Sequence, residues 1–157
     1  MRSEYIALYG NGIYCPKRDK GILLFGNTGC GKTTLTHELI LNYGFLLVGD
    51  DCVTYWIDAQ RMSWGSMNLG GNRLAIRKSD VRDHSEVIYL PDGAHVDSAR
   101  LNRGIHLKRD CRFSDYLTAQ YACDTEMHLN KLNIPIDELV VKKGKINKTI
   151  DALLSKL

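Results

Sequence analysis

The sequence from Gly26 to Thr33, Gly-Asn-Thr-Gly-Cys-Gly-Lys-Thr, fills every fixed position of the pattern GxxxxGK[ST]. Each position has a chemical reason. Gly26, Gly29 and Gly31 let the backbone turn tightly, so that successive N–H groups point inward and form a nest for an anion at the start of a helix. Lys32 is placed to reach the outer phosphates of a nucleotide. The Thr33 hydroxyl is a hard oxygen ligand suited to Mg²⁺, which also keeps waters and phosphate oxygens. The expected nucleotide contacts are therefore Asn27, Thr28, Gly29, Cys30, Gly31, Lys32, Thr33 and Thr34. The flanks agree with this. Ile22-Leu-Leu-Phe25 is apolar on both faces, as a strand covered on both sides must be. Residues 33–43 place Leu35, Leu39 and Ile40 on one face of a helix, which Gly44 can end in the left-handed conformation.

A nucleotide-bound magnesium ion normally needs an acid at the end of a neighbouring strand. Asp50 and Asp51 stand early for that task, directly after the next apolar run at 45–48. Two adjacent carboxylates can divide two jobs, one holding the metal and the other accepting a proton from an attacking hydroxyl. Lying close together, they resist double ionisation without a cation. An isolated Asp-Asp more often starts a turn, but beside a phosphate loop the metal reading is preferred.

The stretch Gly21-Ile-Leu-Leu-Phe-Gly-Asn-Thr-Gly-Cys-Gly-Lys-Thr-Thr-Leu35, followed by Leu46-Leu-Val-Gly-Asp-Asp51, resembles the catalytic domain of HPr kinase/phosphorylase. Its Val-Gly-Asp-Asp part is also similar to the ATP-dependent phosphoenolpyruvate carboxykinases. The resemblance implies an α/β P-loop nucleotide-binding domain of the HPr-kinase/PEP-carboxykinase type, with a mixed β-sheet core and flanking helices. It implies ATP or GTP with Mg²⁺, and serine-kinase-like phosphoryl transfer to a hydroxyl. By position it implies Asp50 as catalytic base beside Lys32, and Asp51 with Thr33 as metal partners; the split between the aspartates can be the reverse. The closing pattern at 135–157 is similar to that of smaller HPr-kinase-like proteins. This chain departs from the family at Tyr9-Gly10, where the kinases carry His-Gly, so a role for that histidine does not transfer. It has no match to the family's HPr-contacting segment, and it is too short for a carboxykinase. The expected acceptor is thus a protein, peptide or small molecule other than HPr.

A second reading is a nucleotide-dependent switch with slow hydrolysis, and a third is a degenerate relative that binds phosphate weakly. No guanine-selecting Asn-Lys-x-Asp is present, and the intact Lys32-Thr33 argues against degeneracy. For a second cation at the transferring phosphate, the candidates are Arg73, Arg77, Lys78, Arg100 and Arg103, each more readily a surface charge. His84, His95 and His106 recur at a spacing that fits no helix face or metal motif. Tyr55, Trp56 and Trp64 could stack on a base but read better as core or hairpin residues.

The rest of the chain sets the frame. With 157 residues, 44% hydrophobic and 25% charged, it reads as one globular domain over 1–157. A net charge of +3, with both signs mixed, does not point to nucleic acid. No apolar stretch nears the ~18 residues of a membrane span, and the N-terminus is not a signal peptide. Five cysteines without paired spacing fit a reducing, cytoplasmic setting; a homo-oligomer is left open. Strands are expected at 5–9, 12–15, 22–25, 45–48 and 53–57, with a turn at Gly10-Asn11-Gly12. Residues 58–112 read as β-rich, with short runs at 74–76, 87–90 and 105–107. A helix from Ser114 to about Leu132, a strand at 136–141 and a last helix capped by Asn147 complete the expectation.

Overall fold

The computed structural model describes residues 4–27, 30–65, 73–77, 85–109, 116–142 and 144–157. For residues 73–77, 85–88 and 116–118 it describes the backbone alone. In chain order the elements are β1 (Tyr5–Tyr9), β2 (Asn11–Cys15), β3 (Lys20–Phe25), α1 (Lys32–Tyr43), β4 (Leu46–Gly49), β5 (Cys52–Trp56) and β6 (Arg61–Trp64). There follow β7 (Arg73–Arg77), β8 (Ser85–Tyr89), β9 (Ser98–Arg100), β10 (Arg103–Lys108), α2 (Tyr116–Lys131), β11 (Ile136–Val140) and α3 (Ile146–Leu154).

The central sheet has the order β11-β10-β3-β2-β4. β10 pairs parallel with both β3 and β11, whereas β2 pairs antiparallel with both β3 and β4. It follows that β3, β4, β10 and β11 all point the same way, and their C-terminal ends share one edge of the sheet. The aspartate strand β4 is therefore not the direct neighbour of β3, as the sequence led us to expect; β2 lies between them. The outer edge of β4 is covered by residues 94–96, through Leu47 N–H to the Ala94 carbonyl (2.8 Å) and Val96 N–H to the Leu47 carbonyl (2.9 Å). That pairing satisfies edge groups that would otherwise invite another strand.

Alternation along β3 decides the layers. Ile22 and Leu24 face a core with Leu35, Leu39 and Ile40 of α1 and Ile150 and Leu153 of α3. Leu23 and Phe25 face the opposite side. There they meet Leu8, Val53, Tyr55, Met62 and Ala99 of a second, antiparallel sheet of order β1-β5-β6-β9, together with Leu129 of α2. The apolar run of β3 is thus buried on both faces, each large side chain contributing about 1.5–3 kcal/mol. β7 and β8 form a separate ribbon. Among the described residues no helix is long and apolar enough to cross a membrane, and Cys15, Cys30, Cys52 and Cys123 are thiols rather than disulfides.

Three local expectations are corrected. Gly10 alone bends, and Asn11 and Gly12 already belong to β2, because both pair with β3 and Gly12 also pairs with β4. The last helix starts after Lys145, with Asn147 inside its first turn rather than at the cap. α1 begins at Lys32, one residue early. Ser114 lies outside the described residues. Ile150 and Leu153 of α3 are fully buried against the core. Leu153→Ala should lower unfolding stability by about 2–5 kcal/mol, measured as a lower urea midpoint with an unchanged denaturant slope.

Candidate functional site

Among the described residues, the glycine-rich loop and the two aspartates lie along the shared edge of the central sheet. β3 ends in the glycine-rich loop, β4 in Asp50-Asp51, β10 in Arg109 and β11 in Val141-Lys142. The antiparallel β2 brings its first residue, Asn11, to the same edge. Open α/β sheets bind ligands beyond the carboxyl ends of their strands, so the topology alone selects this edge.

The loop enters α1 at Gly31, whose φ of 99° is left-handed and comes without strain only to glycine. The first intrahelical bond runs from Leu35 N–H to the Gly31 carbonyl (2.9 Å). The amides of Lys32, Thr33 and Thr34 precede it, in the first turn, where a helix offers its N–H groups no intrahelical acceptor. The Lys32 ammonium folds back over the loop and donates to the carbonyls of Gly26 (2.7 Å) and Asn27 (3.3 Å). Its distance to Cys30 Sγ is 3.7 Å. Cys30 is buried, Thr33 is half-buried and Thr34 is exposed. Thr28 and Gly29, expected nucleotide contacts, lie outside the described residues.

One buried side chain joins this loop to the aspartates. Asn11 Nδ2 donates to Thr36 Oγ1 (2.9 Å), and the Thr36 hydroxyl donates to the Lys32 carbonyl (2.6 Å). On its other side, Asn11 Oδ1 accepts from Asp51 N–H (2.8 Å). Asn11 and Thr36 are only 1% and 0% exposed, so each bond also avoids the about 1–3 kcal/mol cost of a buried group left unpaired. Asp51 itself has φ 68°, and Cys52 N–H bonds the Asp50 carbonyl across it (2.8 Å). That is a γ-turn of the rare, strained kind. Gly10 N–H to the Asp51 carbonyl (2.9 Å) helps hold it. Asp50 is left 6% exposed inside the corner, while the Asp51 side faces solvent.

Tyr9, at the position where the resembled family carries histidine, serves packing. Its ring stacks on Tyr121 of α2 at 4.4 Å, and its backbone exchanges two 3.3 Å bonds with the Thr125 hydroxyl. Of the candidate cations, Arg103 pairs with Asp137 and Arg100 with Gln60 (2.9 Å), both committed to structure. The side chains of Arg73 and Arg77, and all of Lys78, lie outside the described residues, as does His84. His95 bridges to Leu47 of β4 through its backbone. Tyr55 is buried, and Trp56 Nε1 donates to Ser63 Oγ (3.0 Å) within the β5–β6 hairpin. These aromatic residues belong to the second sheet.

Sequence reasoning gave His106 no role beyond a recurrent spacing that fits no motif, and missed its packing beside the loop. Its ring stacks on Phe25 at 4.7 Å, next to the start of the loop. Its Nδ1 is buried without a hydrogen bond, 3.9 Å from Glu126 Oε2. Burial pushes the imidazole below its ordinary value of 6.5; Glu126 opposes the shift, Lys108 adds to it, Glu138 opposes it and Lys32 adds to it. Asn11 was also missed. A polar residue inside an apolar strand, between two glycines, was the available signal, because such a group must be bonded.

Among solved structures, the chain is similar to that of the Hpr(Ser) kinase/phosphatase from Coxiella burnetii, with a TM-score of 0.60 and 18% identity over 96% of this chain and 89% of that one. At that identity the likeness is one of fold, and it agrees with the fold relationship the sequence suggested. No protein-family profile and no curated protein matches the chain.

Two outcomes follow. Asn11→Ala leaves the Asp51 amide without its acceptor and should cost about 1–3 kcal/mol, measured by urea unfolding. For His106 the folded state favours the neutral ring, so the unfolded chain binds more protons below its ordinary value. The stability this group confers is complete above pH ~6.5 and is lost as pH falls through the lowered folded value. His106→Gln should flatten that part of the stability profile, measured as thermal midpoint against pH.

Proposed function

We propose that this protein is an ATP-dependent phosphotransferase that moves the γ-phosphoryl group of Mg-ATP to a hydroxyl acceptor. The observation that carries this reading is the hydrogen-bonded link from Lys32 through Thr36 and Asn11 to Asp51. It ties the start of α1 to a corner with two carboxylates, the two parts that phosphoryl transfer needs together. The fold likeness to a kinase/phosphatase supports the same class.

In this reading the amides of Lys32, Thr33 and Thr34 receive phosphate oxygens. The Lys32 ammonium exchanges the carbonyls of Gly26 and Asn27 for β and γ oxygens, a stronger, charge-assisted pairing. The donor set at the edge suits magnesium, since the Thr33 hydroxyl and the aspartate carboxylates offer only hard oxygen. Among the described residues no group of three or more His, Cys, Asp and Glu gathers, so phosphate oxygens and water would complete the shell. Thr33 and Asp51 would hold the ion, which supplies charge neutralisation across the β and γ phosphates when bound. Asp50, in the same corner, accepts the proton of the acceptor hydroxyl. The freed oxygen forms a bond to the γ-phosphorus as the bond from that phosphorus to the β–γ bridging oxygen breaks, and ADP leaves.

The test is transfer from γ-labelled ATP to a library of hydroxyl-bearing peptides and small molecules. Loss of a general base costs about 10²–10⁴-fold, so Asp50→Asn should lower transfer by at least ~100-fold while Mg-ATP affinity stays within about threefold. Wild-type transfer by Asp50→Asn would remove the base assignment. Tight binding by the wild type with no transfer to any acceptor would leave the switch reading instead.

A further inference from the structure

The second sheet has one face in the core and one in solvent. Leu8, Val53, Tyr55 and Met62 point inward, so the alternate positions point out. The strand register sets four of those outward positions in a single row across the sheet. Tyr5 of β1 pairs with Trp56 of β5, Trp56 with Arg61 of β6, and Arg61 with Arg100 of β9. The row therefore has an aromatic half and a cationic half. Tyr5 is 63% exposed, Arg61 and Arg100 are exposed, and Trp56 is half-buried. The next row on the same face holds only small side chains, Ala7, Thr54, Ser63 and Ser98. Trp56 and Arg61 lean over it, donating to Ser63 Oγ (3.0 Å) and Ser98 Oγ (2.9 Å), so the large side chains fill the space above the small ones.

We propose that this face joins two copies of the chain, packed sheet on sheet about a two-fold axis that runs parallel to the strands, between β5 and β6. Each half of the row lacks what the other half supplies. Two guanidinium groups directly opposite on neighbouring strands repel, and among the described residues neither pairs with a carboxylate. Their hydrogen bonds run to neutral groups of Ser98 and Gln60. Such bonds lie in the guanidinium plane and leave its flat face for an aromatic ring. The rings of Tyr5 and Trp56 lie 5.2 Å apart at 51°, and each carries the negative face that attracts a cation. Turned about the axis, the row runs in reverse on the second copy. Trp56 then meets the partner's Arg61, and Tyr5 meets the partner's Arg100. A two-fold contact makes each pairing twice. An axis along the row would instead set arginine on arginine.

The size of the face sets the strength of the pair. Four strands at about 4.8 Å and five residues at about 3.4 Å give a patch of about 19 by 17 Å per copy, small against the interfaces of permanent dimers. The dimer is therefore weak and reversible, forming at micromolar concentrations or above. Because the axis runs along the strands, the start of β5 lies at the same end in both copies. Asp51 immediately precedes that start, so both aspartate corners open at one end of the dimer.

The experiment is sedimentation velocity on the full chain from about 1 to 500 µM. Wild-type protein should shift from monomer to dimer across that range. Arg61→Glu sets a carboxylate against the partner's ring and should weaken association at least ~tenfold, with the urea midpoint unchanged. Trp56→Arg sets cation against cation and should weaken it likewise. Mixed in equal amounts, the two variants should associate again, because the introduced glutamate then faces the introduced arginine. Should either variant lower the urea midpoint, the exposed pair Arg100→Glu and Tyr5→Arg replaces them, with the same outcomes expected. A wild-type chain that stays monomeric at every concentration would overturn the proposal and leave the face to a different partner. Dimers that survive both substitutions, or a mixture that stays monomeric, would overturn the pairing of ring with cation.

Discussion

The buried amide of Asn11 is the contact on which the rest of the site depends. It uses both ends of one side chain, donating to Thr36 on the helix and accepting from Asp51 on the loop after β4. Neither partner lies close to it in sequence. The fold delivers all three because β2 runs antiparallel between β3 and β4, so its first residue sits where those strands end. A residue that started β2 one place later would put Asn11 on the opposite face, and the aspartate corner would lose its tie to α1.

Several local features follow from that tie. The positive φ of Asp51 is uncommon outside glycine and asparagine-like residues, and a turn of that kind costs about 1–3 kcal/mol. The amide and carbonyl of Asp51 are both bonded, to Asn11 and Gly10, so the surrounding backbone dictates the conformation. On the other side of β3, parallel pairing brings β10 and β11 to the same edge. The edge therefore has an acidic end at β4, a helix start at its centre and a basic, partly apolar end at β11.

Much of this was legible in the sequence, and the failures have physical causes. β3, α1 and the two aspartates were readable because each rests on local chemistry: apolar runs, a glycine at each helix end and adjacent carboxylates. The insertion of β2 between β3 and β4 was not readable, because strand order depends on pairing between distant segments. Asn11 was taken as part of a turn since Gly10-Asn11-Gly12 has turn composition, and only its long-range partners make it a strand. His106 stood in a plain β run, and its stacking on Phe25 depends on the β3–β10 register. At the last helix, Asn147 had the right composition for a cap, but the turn from Lys142 to Lys145 sets the start earlier.

The most direct measurement is a crystal structure of the protein with Mg²⁺ and a non-hydrolysable ATP analogue. The expected result places the triphosphate on the amides of Lys32, Thr33 and Thr34. The metal lies between the Thr33 hydroxyl and one carboxylate of the Asp50-Asp51 corner, and the Asn11 bonds are unchanged. A metal bound away from both aspartates, or a triphosphate bound elsewhere than the start of α1, would contradict the account.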